Sequence, residues 1–451
     1  MTPLKATLIS DIVKGKLYGN PDIEADKVIT DSRKSEKGAL FFALKGEKFD
    51  GADFLKELDG KISIAVSSRY EEVSYPLIVV EDTLLALQRL SKYYIKNISK
   101  PEKVIALTGS VGKTTTKEMT AAVFETKFKT AKTSGNFNNH IGVPLTLLSC
   151  ENDDKVLVTE MGMSNKGEIS RLAGLVESDI AMITNIGHSH IENLGSRENI
   201  RDAKLEITES LKKGGTLIVN GEEPLLENVK VDGQLIRVGL HSGLDVWAEN
   251  IEATYTSLKY TLHLFDKTQT VELSVLGEHN VMNSLFAITS GYISGIPLDI
   301  IIQGLKNYKS VGLRQNIYEK SGVTVIADCY NAGIESMSAS LKLLSTLKAK
   351  GKRIAILGDM LELGKISTDA HTLVGEKVYE NKIDMLFTFG KEAKEINAKA
   401  ESLGVNALHF ETKKELADKL KETMTEGDTL LFKASRGMKF EEIIALLGLE
   451  K

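Results

Sequence analysis

Residues 104–119 read Val-Ile-Ala-Leu-Thr-Gly-Ser-Val-Gly-Lys-Thr-Thr-Thr-Lys-Glu-Met, and this stretch decides the fold of the middle of the chain. The run at 104–108 is typical of a strand buried in a parallel sheet. A glycine-rich loop follows it, and a helix then carries Met119, Ala122 and Val123 on one side. Strand, glycine loop and helix in that order are the arrangement that a phosphate-binding loop requires.

The loop at 109–115 contains the groups that hold a polyphosphate. Its glycines let backbone N–H groups converge on phosphate oxygens, and the positive end of the new helix points at them. Lys113 adds a full charge, and the Thr114 hydroxyl suits the Mg²⁺ that accompanies ATP. Leu107 stands where the full pattern has its first glycine, so this is the shortened form G-x-x-G-K-T.

A Gly-Lys-Thr tripeptide alone is often an ordinary turn, but the strand before it and the helix after it favour a nucleotide site. We therefore interpret the chain as an ATP-consuming enzyme. The residues expected to bind the nucleotide here are Gly109, Ser110, Gly112, Lys113, Thr114 and Thr115.

Length and composition indicate a folded protein of several domains. The chain has 451 residues, of which 42% are hydrophobic and 26% charged; at ~150 residues per domain, about three domains are expected. Lys and Arg number 57 against 62 Asp and Glu, a net charge of −5, so neither nucleic acid nor an anionic membrane is an expected partner. The N-terminus lacks a signal-peptide pattern and no apolar run could span a bilayer, so we expect a cytoplasmic protein without membrane insertion.

The pattern of apolar runs divides the chain into three α/β domains. Residues 1–100 mix short apolar stretches with turns, end in a helical pattern over 83–95 and a polar linker at 97–101, and predict a small mixed α/β domain. Residues 101–312 predict a mostly parallel, P-loop-type sheet with helices, because their apolar runs are unbroken. In residues 313–451 apolar runs alternate with helix-length segments, which predicts a Rossmann-like doubly wound sheet.

Polar side chains that follow two central strands are candidates for metal binding. Glu160 closes the run at 156–159, and His188 and His190 follow the run at 180–186. Ligands of parallel sheets gather beyond the carboxyl ends of the strands, so a carboxylate and an imidazole there could share a second Mg²⁺. Each residue taken singly is better explained as a helix cap or a surface histidine, but their joint placement favours function.

Lys204 has an unusual position in a helix predicted over 198–211. It follows Ile200 by four residues and precedes Ile207 by three, which places its ammonium on the inward stripe. Such a lysine usually lays its stem on the core and extends its charge outward. The alternative is a lysine that lies near the phosphates or is chemically modified, and both interpretations stay open at this point.

Ordered motifs extend along nearly the whole chain. They are TDSR at 30–33, GALFFALKG at 38–46, DG at 50–51, ALTGSVGKTTTKEM at 106–119, GNFNN at 135–139, IGVP at 141–144, EMG at 160–162, NIGHSH at 185–190, GEHN at 277–280, DCYN at 328–331, GDMLELG at 358–364 and KASR at 433–436. In this order they resemble the Mur ligases of bacterial cell-wall synthesis, most closely the type that joins D-alanyl-D-alanine to UDP-N-acetylmuramoyl-tripeptide. Three residues depart from the family pattern: Ala52 replaces a His, Leu313 a Gly and Cys329 a Ser.

The resemblance implies an ATP-dependent peptide ligase that works through an acyl phosphate. Its product would be the UDP-N-acetylmuramoyl-pentapeptide precursor of peptidoglycan, which ties the chain to cell-wall biogenesis, cell shape and cell division. ATP and two Mg²⁺ ions are the implied cofactors. Nothing in the sequence demands more than a monomer.

The resemblance also implies a role for particular residues. Lys113, Glu160, His190 and Lys204 would be catalytic, and the metals would be held by Thr114, Glu160, His190 and a carbamylated Lys204. The remaining contacts fall into two groups: Asn280, Arg314, Asp328, Tyr330 and Asn331 for the nucleotide, and Ser32, Arg33, Asn138, Asn139, Asp359, Ser435 and Arg436 for the UDP-sugar peptide and the dipeptide.

Other functions remain as alternatives. A ligase that adds the third amino acid should contain an Asp-Asn-Pro-Arg stretch, which this sequence lacks; a folylpolyglutamate-type ligase is a further relative. A P-loop kinase would leave the γ-phosphate on a stable product. An ATP-gated binding protein would bind nucleotide without turnover, and would need neither Glu160 with His190 nor an inward Lys204.

Overall fold

The computed structural model describes residues 1–254, 257–309, 314–347 and 349–451. Within these ranges the chain forms three successive α/β regions, each built around a sheet of its own. The three-domain α/β fold predicted from the sequence is confirmed. The proposed limit between residues 312 and 313, and Leu313 with it, lies outside the described residues.

The N-terminal region is a small mixed α/β unit. Its sheet has the order β2-β7-β6-β5-β4, in which β2 is antiparallel to β7 and the other pairs are parallel. Strands β1 and β3 form a separate antiparallel ribbon. The elements are β1 Leu4–Lys5, α1 Ala6–Val13, β2 Lys16–Tyr18, β3 Glu24–Ala25, β4 Lys27–Ile29, β5 Ala39–Phe42, β6 Ile64–Ser67, β7 Leu77–Val79 and α2 Thr83–Tyr94.

The linker predicted at 97–101 is shorter than expected. A π-helical turn at Ile95–Ser99 extends α2, and Lys100 ends it with a left-handed backbone (φ 49°). The backbone N–H of Lys100 donates to the carbonyl of Ile95 at 3.1 Å. The polar stretch is irregular only from residue 100 onward, because Ile95 and Ser99 are buried and hold the helical turn. Its role as a linker between domains stays a prediction.

The central region contains a mostly parallel sheet, as predicted. Its order is β16-β15-β14-β13-β12-β11-β8-β10-β9, and only the β14–β15 and β15–β16 pairs are antiparallel. The elements are β8 Lys103–Thr108, α3 Lys113–Glu125, β9 Thr130–Lys132, α4 Gly142–Ser149, β10 Val156–Glu160, α5 Glu168–Ala173, β11 Ser178–Ile183, α6 Ile191–Leu194, α7 Arg197–Leu205, β12 Leu211–Asn220, β13 Gln234–Gly239, β14 Val246–Ala253, β15 Leu258–Leu264, β16 Lys267–Leu273, α8 His279–Ile293 and α9 Leu298–Asn307.

Both faces of this sheet are covered, which explains its unbroken apolar strands. In β8, Val104 and Ala106 pack into the core shared with α4, α5 and α7. Ile105 and Leu107 point to the opposite face and pack with α3, α8 and α9. The strand ends are thereby fixed, and the loops that follow β8, β10 and β11 meet at one edge.

The C-terminal region is the doubly wound sheet that the sequence predicts. Its order is β17-β18-β22-β19-β20-β21, parallel except for the β17–β18 pair, with α10 to α12 on one face and α13 and α14 on the other. The elements are β17 Asn316–Lys320, β18 Val323–Ala327, α10 Ile334–Thr346, β19 Arg353–Gly358, α11 Ser367–Glu380, β20 Met385–Phe389, α12 Ala393–Ser402, β21 Asn406–Phe410, α13 Lys413–Thr423, β22 Thr429–Lys433 and α14 Glu441–Leu446.

The helix that carries Lys204 is shorter than predicted. It ends at Leu205 and continues as a 3₁₀ turn over Glu206–Ser210, rather than running to 211. Lys204 still faces inward. In the ranges that the structure describes, no helix combines the length and the apolar character needed to cross a bilayer.

Candidate active site

A cavity of about 1180 Å³ lies between the carboxyl ends of the central strands and the C-terminal region. Both regions contribute to its walls. The predicted site residues that line it are Gly109, Ser110, Gly112, Lys113, Thr115, Asn138, Asn139, Glu160, His190, Lys204, Asn280, Arg314, Asp328, Tyr330, Asn331, Ser435 and Arg436. The structure therefore brings together most of the residues that the sequence singled out.

The phosphate loop has the backbone that its glycines predict. Gly112 has a left-handed backbone (φ 81°), and a Cβ there would lie 2.6 Å from Oδ1 of Asn283. The first turn of α3 leaves the N–H groups of Lys113, Thr114 and Thr115 without carbonyl partners inside the helix. These N–H groups and the positive end of the helix form an anion site.

Asn185 holds the beginning of the loop. Its Oδ1 accepts hydrogen bonds from the backbone N–H groups of Ser110 (3.0 Å) and Val111 (2.9 Å). The ammonium of Lys113 donates to the carbonyl of Gly109 at 2.7 Å. Asn185 belongs to a motif quoted from the sequence, but its contact with the loop was not predicted.

Glu160, at the end of β10, is positioned beside the phosphate loop. Its Oε2 accepts a hydrogen bond from the hydroxyl of Thr114 (2.9 Å), and its Oε1 accepts one from Nδ2 of Asn138 (2.8 Å). Asn139 accepts hydrogen bonds from Ile141 and Gly142 and so fixes the loop that carries Asn138.

Thr114 and Glu160 fit a Mg²⁺ ion. Hydroxyl and carboxylate oxygens are ligands that Mg²⁺ accepts, and the ion usually takes the rest of its octahedron from phosphates and water. Among the described residues, no cluster of three His, Cys, Asp or Glu side chains forms a complete cage. The pair instead suits an ion that arrives with the nucleotide.

Lys204 is a buried residue that lines the cavity. Its side chain is 2% exposed, and among the described residues its Nζ has no hydrogen-bond or ion-pair partner. Burial, and then the charge of Lys113, lower the pKa of Lys204 well below its ordinary value. Burial also lowers the pKa of Lys113, although Glu160 opposes the shift.

The two histidines after β11 contact glutamates of the C-terminal region. Nδ1 of His190 lies 2.6 Å from Oε2 of Glu362, and Nδ1 of His188 lies 2.7 Å from Oε1 of Glu335. His190 has φ 64°, a left-handed conformation that is uncommon outside glycine and is often found at functional sites. Neither glutamate was predicted as a site residue. Glu362 lies in the motif quoted at 358–364, but its contact with His190 was not predicted, and Glu335 reads as an ordinary charged residue near a helix start.

One wall of the cavity, near the start of α8, contains two amide side chains that contact each other. Asn280 donates to the carbonyl of Leu276 (2.7 Å) and to Oε1 of Gln315 (3.1 Å). Gln315 also lies 2.9 Å from Nε2 of His279, and burial lowers the pKa of His279. The guanidinium of Arg314 stacks 3.8 Å above the ring of Tyr330, so both are placed at the cavity wall by one cation–π contact.

Asp328 is held in a buried network. Its Oδ2 lies 2.6 Å from the ammonium of Lys433 and accepts a hydrogen bond from Ser340 at 2.7 Å. Burial alone would raise the pKa of Asp328, but the charge of Lys433 holds it below the ordinary value. Lys433 also donates to the carbonyl of Asn331 (3.1 Å). The sequence motif contained Lys433, but gave no sign of this partner.

Asp359 contacts a residue of the cavity wall rather than lining the cavity itself. It does not line the cavity, because its carboxylate caps the start of α12 and accepts the N–H groups of Lys391, Glu392 and Ala393 at 2.8–3.1 Å. Its carbonyl accepts the N–H of Ser435 at 3.1 Å. Asp359 therefore positions Ser435 in the described structure. The contact of Asp359 with the dipeptide that the sequence predicts stays a prediction.

Ser32 and Arg33 lie in a 3₁₀ turn, Ser32–Lys34, of the N-terminal region. They are not among the residues that line the cavity, and the guanidinium of Arg33 pairs with Asp31 through two bonds of 2.8 Å. Arg436 lines the cavity and pairs with Glu441 at 2.7 Å. The substrate roles of Ser32 and Arg33 stay predictions.

Models of known families match most of the chain. The Mur ligase family catalytic domain matches residues 25–94, the Mur ligase middle domain matches 107–291, and the Mur ligase glutamate ligase domain matches 314–436. The three matches follow each other in the order of the three sheets.

Individual proteins and structures are similar over nearly the full length. The UDP-N-acetylmuramoyl-tripeptide--D-alanyl-D-alanine ligase of Bacillus subtilis is 41% identical over 97% of this chain and 96% of its own length. MurF of Acinetobacter baumannii has a similar structure, with a TM-score of 0.92, 31% identity and full coverage of both chains. MurF of Thermotoga maritima, solved in complex with ADP, has a TM-score of 0.84 and 29% identity, and covers 94% of this chain and 97% of its own.

Proposed function

Because the chain belongs to the Mur ligase family, we propose that it joins D-alanyl-D-alanine to UDP-N-acetylmuramoyl-tripeptide with consumption of ATP. The product is the UDP-N-acetylmuramoyl-pentapeptide precursor of peptidoglycan, and ADP and phosphate are released. One observation supports this most strongly: the phosphate loop, Glu160, Lys204 and His190 share one cavity with residues of the C-terminal region.

The chemistry requires activation of a carboxylate. Amide formation is uphill in water, so a carboxylate oxygen of the tripeptide attacks the γ-phosphorus of ATP, ADP leaves, and an acyl phosphate forms. The amine of D-alanyl-D-alanine then attacks the acyl carbon and loses a proton, and the tetrahedral intermediate expels phosphate. Lys113 and the N–H groups at the start of α3 offset the charge that both steps gather, and the cavity orients the reactants.

Mg²⁺ is assigned to the same edge of the sheet. When bound, it supplies positive charge that offsets the phosphate oxygens. Thr114 and Glu160 would hold one ion, and their 2.9 Å contact supports this. His190 and a carbamylated Lys204 would hold a second.

We also propose that Lys204 is carbamylated, and its surroundings support this. A buried ammonium without a partner is costly, and a neutral amine can attack CO₂, lose a proton and become a carbamate anion. The anion would face Lys113, whose charge opposes an ammonium at this place. It would also offer the oxygen ligands that Mg²⁺ prefers.

The remaining assignments follow the same scheme. Asn280, Arg314, Asp328, Tyr330 and Asn331 face the nucleotide, while Asn138, Asn139, Ser435 and Arg436 face the two peptide substrates. Ser32 and Arg33 would contact the UDP-sugar. The domains span residues 1–100, 101–312 and 313–451, and we propose a cytoplasmic monomer.

Phosphate release tests the function directly. UDP-N-acetylmuramoyl-tripeptide, with lysine or diaminopimelate as its third residue, plus D-alanyl-D-alanine should release one phosphate per amide bond. The UDP-N-acetylmuramoyl-dipeptide with single amino acids should release none. Turnover only in the second mixture would instead identify a ligase that adds the third residue.

Labelled ATP separates the ligase from a kinase. With γ-labelled ATP, a ligase releases the label as inorganic phosphate, whereas a kinase leaves it on a stable product. Label on the peptide product after quenching and purification would reject the ligase.

A further inference from the structure

The loop that follows β11 connects the phosphate loop to the C-terminal region. At one end, Asn185 accepts the N–H groups of Ser110 and Val111. In the middle, the N–H of Gly187 donates to the hydroxyl of Ser110 at 2.9 Å. At the other end, His188 contacts Glu335, which lies in the first turn of α10. A displacement of α10 would therefore shift the phosphate loop through these contacts, and a displacement of the phosphate loop would shift α10.

Glu335 makes a two-point contact with this loop. Its Oε1 accepts a hydrogen bond from the backbone N–H of His188 (3.1 Å) and lies 2.7 Å from Nδ1 of the same residue. Both side chains are about 30% exposed, so the pair is partly shielded from water, which strengthens a charge-assisted hydrogen bond.

Gly187 makes room for this contact. A Cβ at residue 187 would lie 2.7 Å from Cδ of Glu335. A methyl group there would push the carboxylate away while leaving Glu335 itself unchanged. The chain thus offers two independent ways to break one contact.

We propose that Glu335 is a positioning residue that couples the C-terminal region to the phosphate loop through His188. It presents Arg314 and Tyr330 to the nucleotide held by the loop at 109–115, and it does so without itself being needed for the chemical step. The proposal rests on the proposed function for its kinetic readout, but its binding readout needs only ADP.

The expected signature is a loss of affinity with little loss of maximal rate. Without the contact, the two regions are aligned for a smaller fraction of the time, and the apparent affinity for nucleotide falls by that fraction. Saturating substrates restore the alignment. For Glu335→Ala we expect the ADP dissociation constant and the KM for ATP to rise about tenfold to a hundredfold, with kcat within about threefold of wild type.

Lys342→Ala is the matched control. Lys342 also lies on α10 and also pairs across the same boundary, with Glu278 at 2.5 Å, but the pair is exposed and does not touch the loop after β11. Its ADP affinity should stay within about twofold of wild type, as is usual for exposed ion pairs. Glu335→Gln keeps an acceptor for the His188 N–H and should recover most of the affinity.

Calorimetric titration with ADP and Mg²⁺ tests the proposal on the full chain. We expect weak binding by Glu335→Ala and by Gly187→Ala, and no further loss when the two are combined. Tight binding by Glu335→Ala, equal weakening by Lys342→Ala, or additive losses in the double variant would each overturn it.

A variant that loses kcat and active fraction while its KM and ADP affinity stay normal would show a merely structural role. Absence of peptide turnover in the wild type would reject the proposed function while the ADP titration still decides on Glu335.

Discussion

Lys204 of the central region and Lys433 of the C-terminal region are both 2% exposed, yet their surroundings are opposite. Lys433 pairs with Asp328 at 2.6 Å and donates to a backbone carbonyl. Lys204 has neither kind of partner among the described residues, and its nearest charged influence is the cation of Lys113. The ammonium of Lys433 is stabilised by its partners, whereas the unpaired Lys204 destabilises the folded state.

The comparison teaches where the fold retains an unfavourable group. Lys117, which is fully buried, is also satisfied: it pairs with Glu118 at 2.9 Å and donates to the carbonyl of Thr133 at 2.7 Å. Buried charges are normally paired in this way. Lys204 departs from the rule beside the phosphate loop, which is where the chemistry would use an amine or its carbamate.

The largest effect is expected when the unpaired lysine is removed. Lys204→Ala should lower kcat at least about 1000-fold, because under the proposed function the site would lose a group that holds a metal next to the reacting phosphate. The assay is phosphate release, with Lys113→Ala as the reference for complete loss. Bicarbonate or a short carboxylic acid should rescue Lys204→Ala in part, and a near-normal rate without rescue would remove Lys204 from the site.

The paired lysine should matter chiefly for stability. Lys433→Met leaves the carboxylate of Asp328 buried without its cation, which costs about 3–5 kcal/mol. The unfolding temperature of the C-terminal region, followed by calorimetry, should fall by about 10 °C. Adding Asp328→Leu removes the stranded charge as well, so the double variant should be more stable than Lys433→Met. A double variant that is less stable would show that the pair is not the source of the cost.

Removal of the unpaired amine should stabilise the protein. Lys204→Met replaces a buried polar group without a partner by an apolar side chain of similar length, which is worth roughly 1–3 kcal/mol. In buffer without bicarbonate and Mg²⁺, where Lys204 stays an amine, the unfolding temperature of the central region should rise by a few degrees, and turnover in the complete assay should be lost. Destabilisation by Lys204→Met would mean that its amine has a stabilising partner after all.

The smallest expected effect is a pH dependence of the stability difference between Lys204→Met and wild type. Folding lowers the pKa of Lys204. At a pH between this lowered pKa and the ordinary pKa of 10.5, the amine is therefore protonated in the unfolded chain and neutral in the folded one. The free energy by which the buried Lys204 destabilises the folded state therefore decreases as the pH rises through this range. In bicarbonate-free buffer, the stability gap between Lys204→Met and wild type should narrow from pH 7 to pH 9. The gap for Lys342→Ala should stay flat, and a constant gap for Lys204→Met would contradict the lowered pKa.

The strands and the phosphate loop could be predicted because each leaves a local mark in the sequence. Strands buried on both faces read as unbroken apolar runs, as in β8 and β22, and the glycines of the loop precede a helix. The antiparallel extension β14 to β16 was missed because it contains no unbroken apolar run: its buried residues are separated by exposed polar and charged ones. Sequence pattern alone did not separate it from surface loops.

The site was harder to complete, because its missing members depend on contacts across the chain. Glu335 lies 147 residues from His188, and Lys433 lies 105 residues from Asp328. Neither separation leaves a periodic signal. The cap that Asp359 forms on α12 could not be predicted for the same reason: its motif indicates importance, but which N–H groups its carboxylate meets depends on the packing of the C-terminal sheet.

One measurement tests the central claim that the fold keeps Lys204 unpaired for use as an anion. Protein equilibrated with ¹³C-bicarbonate and Mg²⁺ can be compared with Lys204→Ala by ¹³C nuclear magnetic resonance. We predict one carbamate carbonyl signal in the wild type that is absent from Lys204→Ala and present in Lys433→Met. Lack of this signal in active wild-type enzyme, or its persistence in Lys204→Ala, would contradict the account.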